Sequence, residues 1–489
     1  MQYKILILSI LLSCISTTQK LSSQISPHQS GHYFVYQGEP VILITSDHTY
    51  AAVITPGFDY QTFLNTLADA GMNFTRIYPG AYPGTGWSGE PIILPWAKNE
   101  EGLYDLDRWN NDYFKRLHGF MSYALSRDII VDIVLFNGFG TEEDDTYHEK
   151  WGLCALNDKN NIQKGVGTKR DYFCTLQEDM LTEYQKAYVH KIVTELNRYD
   201  NLIYDIADEP DFFNLISESL VNPWISAMID EVLNTEAILP KKHLIGQTHH
   251  PTLEDGVGTE FMDWCMDPRT SWISVEYTIG MEDFSKEYAI NKPYVLIETM
   301  SPVANPIGFW KNGYGVDASR VHAWAFLIAG GAGFMEYNDD YDPDKPAGGP
   351  ITTNILRQKK VLLDFLYGFD FISMRHYSGF SGVNHEAIRD TADIWATAMA
   401  EPGKQYAMYI NYSCIPASVS PGFYKAIPGN YQEKIILEDV PAGNYSIEWV
   451  NPTDGNLIGK SVLISHPGGS LKLNTPEFSV DIALKIIRN

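Results

Sequence analysis

The chain has 489 residues, with 61 acidic against 36 basic side chains and a formal net charge of −25. That balance excludes a polyanion partner such as nucleic acid, which needs a basic footprint to displace counterions from phosphates, and it disfavours an anionic membrane surface. Hydrophobic residues make up 44% and aromatics 13%, enough for a large core, and the charge is compatible with a neutral substrate such as a sugar.

Residues 1–16 read as a secretory signal, with Lys4 as the positive start and Ile5 to Leu12 as the apolar run. That run is far short of the roughly 20 apolar residues that span a bilayer. Leu11-Leu12-Ser13-Cys14 resembles a bacterial lipobox with Cys14 as the lipidated residue, and cleavage near Ser16 is the competing reading. The expectation is an exported protein, periplasmic, outer-surface or secreted, tied to a membrane only through a lipid at Cys14. Of the other cysteines, Cys154 and Cys174 either pair after export or stay isolated buried thiols, the reading we favour. No Cys-x-x-Cys occurs, which argues against a thiolate zinc site.

From residue 40 to about 370, short apolar runs alternate with helical patterns. The predicted strands are Val41–Thr45, Asn73–Tyr78, Ile129–Phe136, Leu202–Ala207, His243–Gln247, Trp272–Tyr277, Tyr294–Glu298 and Gly333–Tyr337. Several are almost wholly apolar, as strands buried on both faces require. Predicted helices cover Asp59–Ala70, Trp109–Ser126, Leu176–Leu196, Pro223–Leu233, Glu282–Ala289, Ala318–Ile328 and Thr353–Phe369. The alternation predicts an α/β fold, a (β/α)8 TIM barrel over residues 30–375. A doubly wound sheet is the rival, but no GxGxxG or Walker motif follows a strand. From 376 to 489, strands separated by Pro402-Gly403, Pro428-Gly429, Ala442-Gly443 and Asp454-Gly455 predict a small β-sandwich.

A barrel carries its chemistry at the C-terminal ends of its strands. Those ends hold Asp47 and His48, Arg76 and Tyr78, Asn137, Asp208-Glu209-Pro210, His249-His250, Glu276-Tyr277, Glu298, and Glu336-Tyr337-Asn338. Strands four and seven face each other across a barrel mouth, so Glu209 and Glu298 can flank one bond. Retaining glycoside hydrolysis uses two carboxyls about 5–5.5 Å apart, one protonated and one ionised. Arg76 is expected to hold Glu298 ionised, and Tyr277 to orient it. His48, Asn137, Asp208, His249 and Glu336 are further candidates for substrate contact. Trp87, Trp96 and Trp151 are candidates for stacking on sugar rings. Adjacent histidines on a strand point to opposite faces, so His249 and His250 are poorly placed to chelate together. The acidic stretch 338–344 lacks the pattern of an EF-hand, and neither a metal nor a cofactor is expected.

Asp208-Glu209-Pro210, Glu298 and Arg76 resemble the corresponding residues of clan A glycoside hydrolases. Gly38-Glu39-Pro40-Val41, Leu106-Asp107-Arg108-Trp109, the run Val131–Phe136 and the run Lys191–Asn197 are similar to bacterial cellulase-like hydrolases, across most of residues 35–370. The resemblance implies Glu209 as acid/base and Glu298 as nucleophile. The chain departs from the usual Asn-Glu-Pro by carrying Asp208, in the position whose amide meets the sugar 2-hydroxyl. The expectation is thus an exported retaining glycoside hydrolase acting on a neutral poly- or oligosaccharide. Two alternatives stay open: an inactive barrel that binds glycan, and a metal-dependent hydrolase built on His48, His249 and His250.

Overall fold

The computed structural model describes residues 24–47, 51–80, 91–138, 148–210, 216–249, 266–276, 290–299, 301–303, 313–385, 390–416 and 423–489. Residues 1–16, with Cys14, lie outside the described residues, as does the predicted helix 282–289. No helix among the described residues is long and apolar enough to cross a membrane.

Ser26–Pro27 (β1), Phe34–Tyr36 (β2) and Glu39–Val41 (β3) form a small antiparallel sheet. Strand and helix then alternate. The first part runs Leu43–Ile44 (β4), Tyr60–Asp69 (α1), Phe74–Ile77 (β5), the hairpin Trp96–Lys98 (β6) and Tyr104–Trp109 (β7), Asn111–Ser126 (α2) and Ile130–Asn137 (β8). Next come His148–Leu153 (α3), Asp179–Leu196 (α4), Leu202–Asp208 (β9), Glu218–Ala237 (α5), Ile245–Gly246 (β10), Thr248–His249 (β11) and Ile273–Glu276 (β12). Tyr294–Glu298 (β13), Gly315–Ile328 (α6), Gly333–Phe334 (β14) and Pro350–Tyr367 (α7) complete the series. Asp59 caps α1 by accepting from the Gln61 and Thr62 amides, and Asn110 caps α2 in the same way. Both α1 and α2 turn an apolar stripe inward, α1 through Phe63, Leu64 and Leu67 and α2 through Tyr113, Phe114, Leu117, Phe120 and Met121. One boundary differs from expectation. Proline commonly opens a helix, but α5 begins at Glu218 and runs through Pro223, forgoing one intrahelical bond.

Two parallel sheets result, one ordered β5-β8-β9-β10 and the other β11-β12-β13-β14-β4. Side-chain amides join them at both ends. Asn73 donates to the Ile42 carbonyl, accepts from the Ile44 amide, and donates its own N–H to the Ile44 carbonyl at 3.3 Å. On the other side β10 and β11 are split at Gln247, whose side chain pairs with both the N–H and the C=O of Ala207. The predicted fifth strand is therefore shorter than its apolar run, because a side chain replaces a ladder rung.

The strands of the C-terminal region pair antiparallel. Arg375–His376 (β15), Phe380–Ser381 (β16), Asp393–Glu401 (β17), Gln405–Cys414 (β18), Lys425–Ala426 (β19), Lys434–Val440 (β20), Gly443–Val450 (β21), Val462–His466 (β22), Gly469–Asn474 (β23) and Asp481–Arg488 (β24) form two sheets. The larger is ordered β15-β17-β18-β24-β21-β22, with β19 on β18, and the smaller β16-β20-β23. Strand alternation divides the larger sheet's side chains between two cores. Ala396, Ala398, Tyr406 and Met408 pack with Leu437 and Leu471 of the smaller sheet. Trp395, Met399, Ala407 and Tyr409 join the core of the parallel strands.

Candidate active site

Strands β5, β8, β9, β12 and β13 bring a dense group of charged side chains together around Arg76, from their interiors and from their C-terminal ends. Its guanidinium is fully buried: Nε lies 3.1 Å from Asp132 Oδ2, Nη2 3.3 Å from Asp205 Oδ2, and Nη1 3.0 Å from Asp208 Oδ1 and 3.9 Å from Glu276 Oε1. Nη2 also donates to Thr248 Oγ1 at 3.2 Å. The sequence assigned Arg76 to Glu298; its described ion pairs run to these four acids, because Arg76 sits one strand from Asp132 in direct register and points into the interior.

Asp208 is 3% exposed. Its Oδ2 accepts from Tyr78 Oη and Asn137 Nδ2, each at 2.7 Å. Asn137 and Asp208 are ladder partners, which fixes that contact. Glu209 follows in the left-handed region with φ of 42°, a conformation costing a non-glycine residue roughly 1–3 kcal/mol. The close approach that holds it requires a glycine. A Cβ on Gly138 would fall 2.2 Å from the Glu209 carbonyl oxygen, while the Gly138 amide donates to the Asp208 carbonyl at 2.8 Å. Arg170 in turn donates to the Gly138 carbonyl.

Glu298 ends β13 beside Glu276, its partner across an irregularity in the ladder at Val275/Glu276. Such bulges re-aim side chains beside functional sites. One oxygen each from Asp208, Glu276 and Glu298 lies within 4.8 Å of the others. Burial pushes the Glu276 carboxyl well above its ordinary value, and the neighbouring Asp208, Glu209 and Glu298 push it the same way. Burial and Asp205 likewise raise Asp132 well up, against the pull of Arg76. Asp205 is raised by burial, opposed first by Arg76 and then by the Thr248 and Ser274 hydroxyls. Three carboxylate oxygens at that spacing suit a hard divalent cation. Arg76, 3.0 Å from Asp208 and 3.9 Å from Glu276, also brings positive charge to two of the three.

Glu336 is corrected. It is fully buried and accepts from Ser46 at 2.6 Å and Ser319 at 3.0 Å, with the ammonium of Lys359 3.2 Å away. Ser319 and Lys359 belong to α6 and α7, so Glu336 faces the helix layer and not the mouth, as the alternation of side chains along a strand allows. Trp96 is likewise a core residue, 1% exposed and packed on Trp109 and Tyr188. Trp151 packs on Phe173. Asp47 is buried under the Thr45 and Thr75 hydroxyls, and Asp340 of the acidic stretch accepts from the Gly349 amide and Thr352 at the start of α7. Cys154 is a buried free thiol, not paired with the buried Cys174, and burial pushes it up to about 12. His48, Trp87, His250 and Tyr277 lie outside the described residues; His249 lies on β11, with its side chain outside them.

Asp132, Asp205, Thr248 and Ser274 were missed. A signal existed for the two acids: each interrupts an otherwise apolar strand, Val131-Asp132-Ile133 and Tyr204-Asp205-Ile206, and a charge buried in a parallel strand must be paired. Thr248 and Ser274 carried none.

No protein-family model matches the sequence, and no curated protein is significantly similar to it. Solved structures share its fold. A protein described as a glycoside hydrolase superposes with a TM-score of 0.62 at 12% identity, covering 96% of this chain and 97% of its own. A glycoside hydrolase family 5 protein from Bacteroides vulgatus superposes with a TM-score of 0.60 at 14% identity, covering 95% and 94%. The chain therefore has, over nearly its full length, the fold seen in these glycoside hydrolases.

Proposed function

We propose that the protein is a retaining glycoside hydrolase acting on a neutral poly- or oligosaccharide, with the two parallel sheets closing into one eight-stranded barrel and the antiparallel sheets forming a sandwich beside it. The observation that carries the reading is that Glu209, just past β9, and Glu298, at the end of β13, both stand near enough to the buried Glu276 to push its carboxyl up. Double displacement requires two carboxyls about 5–5.5 Å apart, and two glutamates near one buried group at strand ends support that pairing. Glu209 would protonate the glycosidic oxygen while Glu298 attacks the anomeric carbon. Glu209 would then take a proton from the water that releases the sugar. Asn137, Asp208 and Tyr78 line the same strand ends and support a role in orienting the sugar. Residues 1–16 support export, with a lipid at Cys14 as one form of it.

A second reading, a barrel that binds glycan without turnover, is motivated by Asp208. Its carboxylate is engaged by Tyr78, Asn137 and Arg76, and an ionised carboxylate has no proton to donate to a sugar hydroxyl. Wild type, Glu209→Gln and Glu298→Gln incubated with a panel of neutral glycans separate the two. Turnover by wild type alone supports the hydrolase, and binding without turnover by wild type supports the alternative.

A further inference from the structure

We infer that Glu276 is a positioning residue of this site, holding a proton that it donates to Asp208 so that Asp208, Glu276 and Glu298 can stand together beside Glu209. The role assigned to it in turnover rests on the glycosidase reading; the shared proton does not.

The argument begins with proximity. Oxygens of Asp208, Glu276 and Glu298 lie within 4.8 Å of one another, and two ionised carboxylates about 4 Å apart repel by about 4 kcal/mol at an effective dielectric of about 20. The groups facing Glu276 are Arg76 from β5, Asp208 at the end of β9 and Glu209 just past it, and Glu298 from β13, while Tyr78, just past β5, donates to Asp208. Thr248 and Ser274 add neutral hydroxyls from β11 and β12, and Asp132 and Asp205 engage the far side of the guanidinium. Among these described groups Arg76 is the sole cation, and it is shared with three aspartates. A fully ionised cluster would be strongly repulsive, so protons must be retained.

The partners of Asp208 and the burial of Glu276 assign one proton to Glu276. Asp208 Oδ2 accepts two donors at 2.7 Å and Oδ1 is 3.0 Å from a guanidinium nitrogen, all of which favour its ionised form. Glu276 is fully buried and 3.9 Å from the nearest guanidinium nitrogen, a setting that favours the neutral acid. A carboxylic acid beside a carboxylate makes a strong charge-assisted hydrogen bond. The neutral Glu276 then leaves Glu298 the ionised member of its ladder pair, ready as a nucleophile, and keeps Arg76 on Asp208. Loss of this proton at high pH would add a negative charge next to both Glu209 and Glu298.

Neutron diffraction from deuterium-exchanged crystals near neutral pH tests the proton itself, whether or not the protein turns over a glycan. A deuteron on a Glu276 oxygen directed at Asp208 is expected. Bare carboxylates at both residues, or a metal ion among the three acids, would overturn the inference. The kinetic arm uses 4-nitrophenyl glycosides of neutral sugars and runs alongside. Glu276→Gln keeps a neutral donor, so its kcat/KM should stay within about tenfold of wild type and persist to higher pH. Glu276→Ala should lose about 100-fold in kcat. A Gln variant as inactive as Glu298→Gln, or one with an unchanged alkaline limb, would contradict the role; no turnover by wild type counts against the hydrolase reading alone.

Discussion

Gly138 and Glu209 show how a single Cβ can govern the backbone of the proposed acid/base. Adding a methyl at Gly138 forces it against the Glu209 carbonyl, so Gly138→Ala should displace Glu209 from its left-handed conformation. We expect kcat to fall by about 100-fold, since a displacement of about 1 Å has that effect, while circular dichroism shows an intact fold. The buried acids make a second prediction. Asp132 and Glu276 have folded-state values raised above their unfolded ones. The folded state then binds more protons than the unfolded, so their contribution to stability is complete below the unfolded carboxyl range and is lost as pH rises towards the folded values. Urea unfolding of wild type and Glu276→Gln across pH 4 to 9 should show wild type losing stability relative to the variant, by at most about 1.4 kcal/mol per pH unit. A gap that is flat or opens the other way contradicts this assignment.

Among the elements, the short strands carry the greatest structural demand. β4 is only two residues long, and Asn73 joins it to β5 through three hydrogen bonds. Two of these come from the side chain, each worth about 1 kcal/mol net, so Asn73→Ala should lower unfolding free energy by about 2–3 kcal/mol in urea titration. Long apolar runs such as Ile129–Phe136 were legible from sequence because burial on both faces leaves that pattern, and the helices were legible from their spacing. Strand breaks were not: Gln247 and Asn73 replace ladder rungs with side-chain amides, and no periodicity reports such a substitution. The same limit explains the site. Glu209, Glu298, Arg76, Asp208 and Asn137 were read from strand ends, but which partner Arg76 takes depends on register between strands, and which face Glu336 takes depends on a single residue of phase.

At the scale of the whole molecule, the antiparallel region is built into the core. Arg320 on α6 makes a two-pronged contact with Asp481 on β24, at 2.7 and 3.2 Å, and Tyr409 donates to the same carboxylate. Trp324 stacks on Tyr409 nearby. Arg320 and Asp481 are both almost fully buried, and removing one partner of such a pair costs about 3–5 kcal/mol. Asp481→Ala should therefore lower stability by that amount, with tryptophan fluorescence and far-ultraviolet circular dichroism reporting one shared transition; two separate transitions would show that the regions fold independently. The acidic balance of the chain is also partly explained, since four carboxyls lie around Arg76 and two more, Glu209 and Glu298, stand near Glu276. The most direct test of the whole account follows a neutral glycan by proton NMR as the purified protein cleaves it. The account predicts that the first-formed sugar keeps its anomeric configuration and that Glu209→Gln and Glu298→Gln abolish its release; an inverted product, or release that survives both substitutions, would contradict it.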